Sequence, residues 1–405
     1  MNRKLLTLAF LIPLVGQARA WATPEWTRQL GTTATDISRD VAADGLGSVF
    51  ITGETLGNLG GPNAGSFDPF VAKYDDTGNL LWTRQFGTTK SETAESISTD
   101  GLGNAYIAGG QNGLFVAKYD GAGNLEWTRE APGYALGVAA DGLGSVYVGG
   151  YRSGPGGNDA FLTKYDDAGT FQWTQQLGTT DYDIGWRIAA DGLGNVYLAG
   201  QTTGSLGGPN AGGYDSFIAK YDGTGALEWT RQFGTSAGDF ARNVAVDGLG
   251  NAYIVGSTTG SLAGPLAGTT DVFVAKYDAT GNVEWSRQFG SGALAGDSGN
   301  DISADQFGNI YVASRLAFVG PALTKFDADG NFQGTTILDS GLYYGVSADG
   351  TGDVYLSGYV EPNNYDAILV KFTEAIVPEP ASILLVATQL VLVGVSLGRR
   401  ELREN

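Results

Sequence analysis

Two rows of carboxylates recur along this chain at fixed distances from a repeated turn. Eight residues before the turn aspartate stand Asp36, Glu92, Asp183, Asp239 and Asp297. A second row, Asp68, Asp159, Asp215, Asp271 and Asp366, opens a later strand of each repeat. Oxygen-rich clusters of this kind suit Ca²⁺, and the first row, entering the inner strands, is the candidate metal set at a channel mouth. No EF-hand loop or nonapeptide Ca²⁺ repeat accompanies them, so the reading favoured on the residues is that each acid bonds local backbone. One Lys per repeat (Lys73, Lys118, Lys164, Lys220, Lys276, Lys325, Lys371) is expected to pair with a nearby Asp in the same unit. One Trp in most repeats (Trp26, Trp82, Trp127, Trp173, Trp229, Trp285) is expected to pack between units. Repeated residues are scaffold by default. Residues that occur once are the better ligand candidates: Tyr134, Trp186, Arg242 and Tyr344, with Asp183 beside them.

Other chemistry is excluded by what is missing. The chain has no His and no Cys. That removes Ser-His-Asp and Cys-His triads, His or Cys metal sites, disulfides and acylated cysteine. Carboxylates with Tyr or Arg would still suffice for a polysaccharide lyase or glycosidase, but no pair stands out from the repeated acids. A quinone or other redox propeller has no supporting motif.

The elements that must position these residues follow from the repeats. The string Asp-Gly-x-Gly-Asn-x-Tyr, or a variant, has its leading Asp at 44, 100, 141, 191, 247, 305 and 349. Phe-Val-Ala-Lys-Tyr-Asp and Glu-Trp-Thr-Arg-Gln-Phe-Gly recur in step with it. In the sixth repeat the Trp string is degenerate near Phe332-Gln333. Each unit resolves into four strands, typified by Asp36 to Ala43 (A), Ser48 to Gly53 (B), Phe70 to Tyr74 (C) and Leu80 to Phe86 (D). The A–B and C–D connections are tight hairpins in which Gly takes positive φ and Asp or Asn bonds back to the backbone. Three residues before the turn Asp the chain is always apolar, and two before it always small, as crowded inner strands require. The Trp string stands first in the chain with no partner before it, and the last Lys string has none after it. The N-terminal strand therefore completes the last unit, which is how a ring closes; a linear array would need caps. The expected fold is all-β: a seven-bladed β-propeller of four-stranded antiparallel blades over residues 21–376. The spacing and the Lys-Tyr-Asp and Asp-x-x-Gly-Asn strings resemble the SBBP-type β-propeller repeats of bacterial secreted proteins. That resemblance implies a fold and no particular activity. The A–B and C–D loops are short and alike, whereas the B–C and D–A loops vary, so any ligand is expected on the variable-loop face.

The two ends read as addresses. Residues 1–20 have a basic start (Arg3, Lys4), the apolar run Leu5 to Val15 and Ala18-Arg19-Ala20, the pattern of a secretory signal peptide cut after Ala20. Residues 377–405 hold Pro378-Glu379-Pro380, the apolar run Ala381 to Leu397 and a basic end with Arg399 and Arg400. Seventeen apolar residues sit at the lower edge of a membrane span. This order of features resembles the PEP-CTERM sorting signal, which implies an exosortase-like processing partner and a transmembrane helix. Between these ends the chain carries 18 Lys and Arg against 40 Asp and Glu, a net −22. A body this acidic repels nucleic acid and suits a soluble extracellular protein. The function expected is that of an exported, non-catalytic, monomeric propeller at the cell surface or in the extracellular polysaccharide matrix. Polysaccharide or a surface protein is the expected partner, and the alternative is a carbohydrate-active enzyme.

Overall fold

Each Asp-Gly-x-Gly string closes a hairpin through its own aspartate. Asp44 Oδ1 accepts the amides of Leu46 (2.8 Å) and Ser48 (2.9 Å), while Gly47 turns the chain at φ 91°. In this computed structural model, which describes residues 21–110, 113–292, 296–361 and 365–374, such hairpins build seven four-stranded antiparallel sheets. In blade one the strands are Asp36–Ala43, Ser48–Thr55, Asp68–Asp75 and Leu80–Gln85. Strands B and C thus run two residues further toward the variable loops than the sequence pattern gives, taking in Thr55 and Asp68. The other inner strands are Ala94–Thr99, Tyr134–Ala140, Asp183–Ala190, Asp239–Val246, Ser298–Ala304 and Leu342–Ala348. Each packs against the next, and the seventh packs against the first. The outer strand of blade seven is Ala22–Leu30, paired with Asp366–Glu374 so that Trp26 stands opposite Lys371.

Neighbouring blades are fastened by the repeated Trp and Arg. Trp82 Nε1 donates to Gly121 O (3.1 Å) and Arg84 Nε to Gly123 O (2.7 Å), both on the C–D loop of the next blade. Gly123 is required there twice over: its φ is 81°, and a Cβ would lie 2.8 Å from the Trp82 ring. The same contacts recur from Trp26 to Asp76, Trp127 to Asp167, Trp229 to Ala279 and Trp285 to Ala328.

The repeated Lys does not use its partners as the sequence reading expects. Lys220 and Lys276 pair with Glu228 and Glu284, the strand-D glutamates just before each Trp, at 2.9 and 2.8 Å. Their Nζ also donates to the next blade's C–D loop, at Ala279 and Ala328. The physical reason is register: Lys faces Trp across the C–D ladder, so the preceding Glu and the loop under the Trp lie within reach. Aspartates join in Lys118–Asp167, where Asp167 belongs to the following blade, and in Lys371–Asp353, where the pair lies within one blade as expected.

Blade six lacks its Trp, and Gly334 stands opposite Lys325 where the other blades carry that ring. The chain start supplies a substitute. Trp21, just ahead of blade seven's outer strand, packs on Tyr311 with ring centroids 5.4 Å apart and donates Nε1 to Leu323 O (3.2 Å). Lys325 Nζ lies 5.4 Å from the centroid of the Trp21 ring. The first described residue therefore seals a blade other than its own.

The free edges of the inner strands are closed by side chains, which keeps their amides paired beside the axis. Asp40 accepts Ile97 N (3.0 Å), Ser98 accepts Ala140 N (3.1 Å), Ser303 accepts Ala348 N (3.0 Å) and Ser347 accepts Ala43 N (3.1 Å). The small residues at the −2 place are thus ring fasteners where they are serines. Residues 1–20 and 377–405, read from the sequence as secretion and sorting signals, lie outside the described residues. Among the described residues no helix is long and apolar enough to cross a membrane.

Candidate functional site

Every inner strand is broken by one β-bulge at the same place. Register slips over Arg39, Glu95, Leu136, Trp186, Arg242, Asn300 and Tyr344, each five residues before its turn aspartate. A bulge re-aims the extra side chain away from the sheet's alternation. All seven side chains line one cavity of about 380 Å³, together with Arg187 and Ser298. Ser298 opens its strand, so the cavity faces the D–A and B–C loops. The position is the same in every blade, yet Arg is the only residue type to occur twice.

The ring is polar and aromatic. Arg39 is locked to Glu54, with Nε to Oε1 and Oε2 at 3.0 Å, and its guanidinium carbon lies 5.2 Å from the Tyr344 ring centroid. Burial alone would lower the Arg39 pKa, but Glu54's hydrogen bonds and charge outweigh it and raise it. The same burial raises Glu54 despite Arg39, so each charge depends on its partner. Arg242 differs. Its guanidinium carbon stands 4.9 Å from the Trp186 ring centroid. Among the described residues it makes no hydrogen bond or ion pair. Arg242 exposes surface into the mouth, yet the surrounding walls desolvate its head and lower its pKa. Trp186 Nε1 is buried and has no acceptor among the described residues.

One residue further along the inner strands, Asp40, Arg187 and Asp301 interact by charge and make a floor layer, of which Arg187 alone lines the cavity. Val41 N and Ile97 N donate to the two Asp40 oxygens. Asp301 accepts Ile302 N (2.8 Å), Val346 N and Asn243 Nδ2. Burial raises both carboxyls. Burial and the Asp40 charge push Asp301 up to about 8 against its amide donors and Arg187. Arg187 donates to Leu136 O, so the floor also ties blade four to blade three.

Five stretches, residues 25–60, 81–115, 172–207, 228–263 and 284–315, match the beta-propeller repeat family SBBP. SBBP beta-propeller repeats are found in this chain. The matches begin at the strand-D Glu-Trp strings or just beside them, so each SBBP unit runs across a blade boundary. The chain is 28% identical over 167 residues to the regulatory protein FlaEY of Caulobacter vibrioides, covering 39% of this chain and 15% of that protein. It therefore matches well under two thirds of that relative's length. Among solved structures it resembles the WD40 β-propeller domain of Doa1 (TM-score 0.54, 13% identity, 88% of this chain and 99% of that one). The WD40 domain of Neurospora crassa Pan2 is similar at TM-score 0.54 and 12% identity, with 88% and 99% covered. At such identity these likenesses concern the fold alone.

On the SBBP scaffold, Trp186, Arg242 and Tyr344 of the sequence candidates meet at the mouth. Tyr134 lies on the rim, exposed and stacked on Tyr151 at 5.0 Å, outside the cavity. Asp183 is fully buried and taken up by Thr179 N (2.6 Å), Thr179 Oγ1 and Thr202 Oγ1. Asp36 and Asp239 bond Thr32 and Thr235 in the same way, Glu92 bonds Thr88, and Asp297 bonds Ser291 and Ala317. The row of acids therefore does not ring the mouth. Each pins a D–A turn: the Gly-Thr before Asp36, Glu92, Asp183 and Asp239 offers an amide and a hydroxyl four residues back, and Ser291 offers both to Asp297 from six residues back. Among the described residues no three acids stand close enough to hold a metal. Arg39, Glu95, Leu136 and Asn300 escaped the sequence reading, as did the floor acids Asp40 and Asp301. Aligning the repeats on the turn Asp and asking which inner-strand position varies would have found the ring. A larger groove of about 890 Å³ between blades one and two is lined partly by the repeated Phe86 and Tyr119, so it is built largely of scaffold.

Proposed function

We propose that this β-propeller is an exported, non-catalytic binding protein that uses the channel mouth to hold a partner at the cell surface or in the extracellular polysaccharide matrix. One observation carries the reading: seven side chains of six types converge on one cavity from seven equivalent bulges. Variation confined to one position of a repeated scaffold is the pattern of recognition. The export half rests on the signal-like residues 1–20 and the sorting-like residues 377–405. The last described strand ends at Glu374 on the face of the A–B turns, since Phe372 pairs with Val354 at the start of its neighbour. A tail anchored through the apolar run 381–397 would hold that face toward the membrane and turn the mouth outward. Leu46, Leu102, Leu143, Leu193, Leu249 and Phe307 stand on these turns, each at least 64% exposed, which favours a face turned to an apolar surface.

The competing reading is a lyase or glycosidase that uses the floor carboxyls, and the raised Asp301 is what favours it. Against it, both oxygens of Asp40 and of Asp301 are occupied by amide donors. A glycan array probed with the full-length chain and with a Trp186→Ala, Arg242→Ala, Tyr344→Ala variant tests the binding reading. Capture by the parent and its loss in the folded variant is expected. Product release from acidic polysaccharide that is lost in Asp301→Asn would favour the enzyme.

A further inference from the structure

This inference rests on the binding reading and names the chemistry of the ligand. Among the described residues, three groups around blades four and five lack partners that such groups normally have. Arg242 has no carboxylate, whereas Arg39 is locked to Glu54 and Arg187 feels the charges of Asp40 and Asp301. Trp186 Nε1 is a buried donor without an acceptor. Gln201 is 7% exposed, and its Oε1 is a buried acceptor without a donor. Gln201 stands opposite Ile184 in blade four as Glu54 stands opposite Ile37 in blade one, and Glu54 reaches the bulge side chain of its own blade.

The unpaired cation and the unpaired donor that line the mouth describe their complement. The cation asks for an anion, best a planar carboxylate matching the guanidinium fork. The unpaired indole donor of Trp186 asks for an oxygen acceptor, which a hydroxyl supplies. Further round the ring, Glu95 and Asn300 add polar groups and Tyr344 adds an aromatic wall. The volume, at the small end of ligand pockets, suits one residue or a chain end. We propose that the channel mouth binds a hydroxylated carboxylate of the sugar-acid class, its carboxylate on Arg242 and its hydroxyls among Glu95, Asn300 and Trp186, which line the same cavity. Sulfate would offer Glu95 no hydroxyl, and a neutral sugar would leave Arg242 unsatisfied.

Titration calorimetry of the full-length chain with D-glucuronate, D-glucose and inorganic sulfate tests this. Glucuronate is expected to bind roughly tenfold or more tightly than either of the others. Arg242→Gln should erase the preference for glucuronate over glucose. Trp186→Phe keeps the ring, loses Nε1 and should weaken glucuronate several-fold. Lys90→Gln, an exposed cation outside the mouth, should change nothing. Equal binding of glucose, or full glucuronate affinity in folded Arg242→Gln, overturns the proposal. If glucuronate fails to bind while the triple mouth variant still loses capture on the array, the ligand class falls and the binding reading stands. If that variant leaves capture intact, the binding reading falls with it.

Discussion

At the scale of single residues, the floor acid Asp301 and the end residue Trp21 do what no repeat motif requires. Asp301 binds its proton more tightly folded than unfolded, since burial and Asp40 raise its pKa to about 8 from an ordinary value near 4. Between those values the native state holds more protons than the unfolded state, so stability must fall as pH rises. Chemical unfolding at pH 5 and pH 9 should register a loss on the order of a few kcal/mol at the higher pH, and Asp301→Asn should flatten that slope. A stability that rises over this interval would mean that the amide donors hold the carboxylate ionised. Trp21 is 7% exposed and fills the space of a missing ring, so Trp21→Ala should cost about 3 kcal/mol by urea unfolding. Trp82→Ala, at a half-buried outer-strand site, should cost less.

At the scale of elements, the C–D hairpin and the closing strand carry separable predictions. Gly123→Ala meets both a positive φ and the Trp82 ring, and should destabilise by roughly 2 kcal/mol. Gly47→Ala has a φ of 91° but nothing within 4 Å of its Cβ, so only backbone strain remains, about 1 kcal/mol. Melting curves of the two should differ accordingly; equal losses would show that the Trp–loop contact yields easily. Deleting residues 21–31 bares the edge of Asp366–Glu374 and removes Trp21 from blade six. The product should melt far lower and associate by light scattering. A permutant that joins the Trp26 strand after residue 374 should keep its fold.

At the scale of the whole molecule, the two faces differ in kind. One presents the polar, varied mouth. The other presents six large apolar side chains at the A–B turns, from Leu46 at 64% to Leu249 at 79% exposed, with Thr351 in the seventh place. A propeller lying on a lipid surface by this face should float with zwitterionic vesicles when residues 21–376 are tested without the tail. Leu102→Glu, Leu193→Glu and Leu249→Glu together should abolish that flotation, whereas Arg242→Gln should not. Flotation unchanged by the three glutamates would remove the orientation.

The seven turns, the hairpins and the closure by the first strand were legible in the chain because each depends on local chemistry repeated in order. Asp and Gly dictate the turns, and a Trp string with no predecessor must pair with a Lys string that has no successor. The SBBP likeness adds the same information again. The mouth was not legible, since only Arg39 and Arg242 of its seven residues share a type and the seven lie some fifty positions apart. They meet because a bulge lets one extra residue oppose its neighbour strand, and register between strands exists only once the sheets have formed. The Lys–Glu pairs, the acids that pin turns and the reach of Trp21 into blade six have the same origin. Each contact is set by which side chains the ladders bring opposite, and by which blade the ring makes adjacent, so tertiary structure alone decided them.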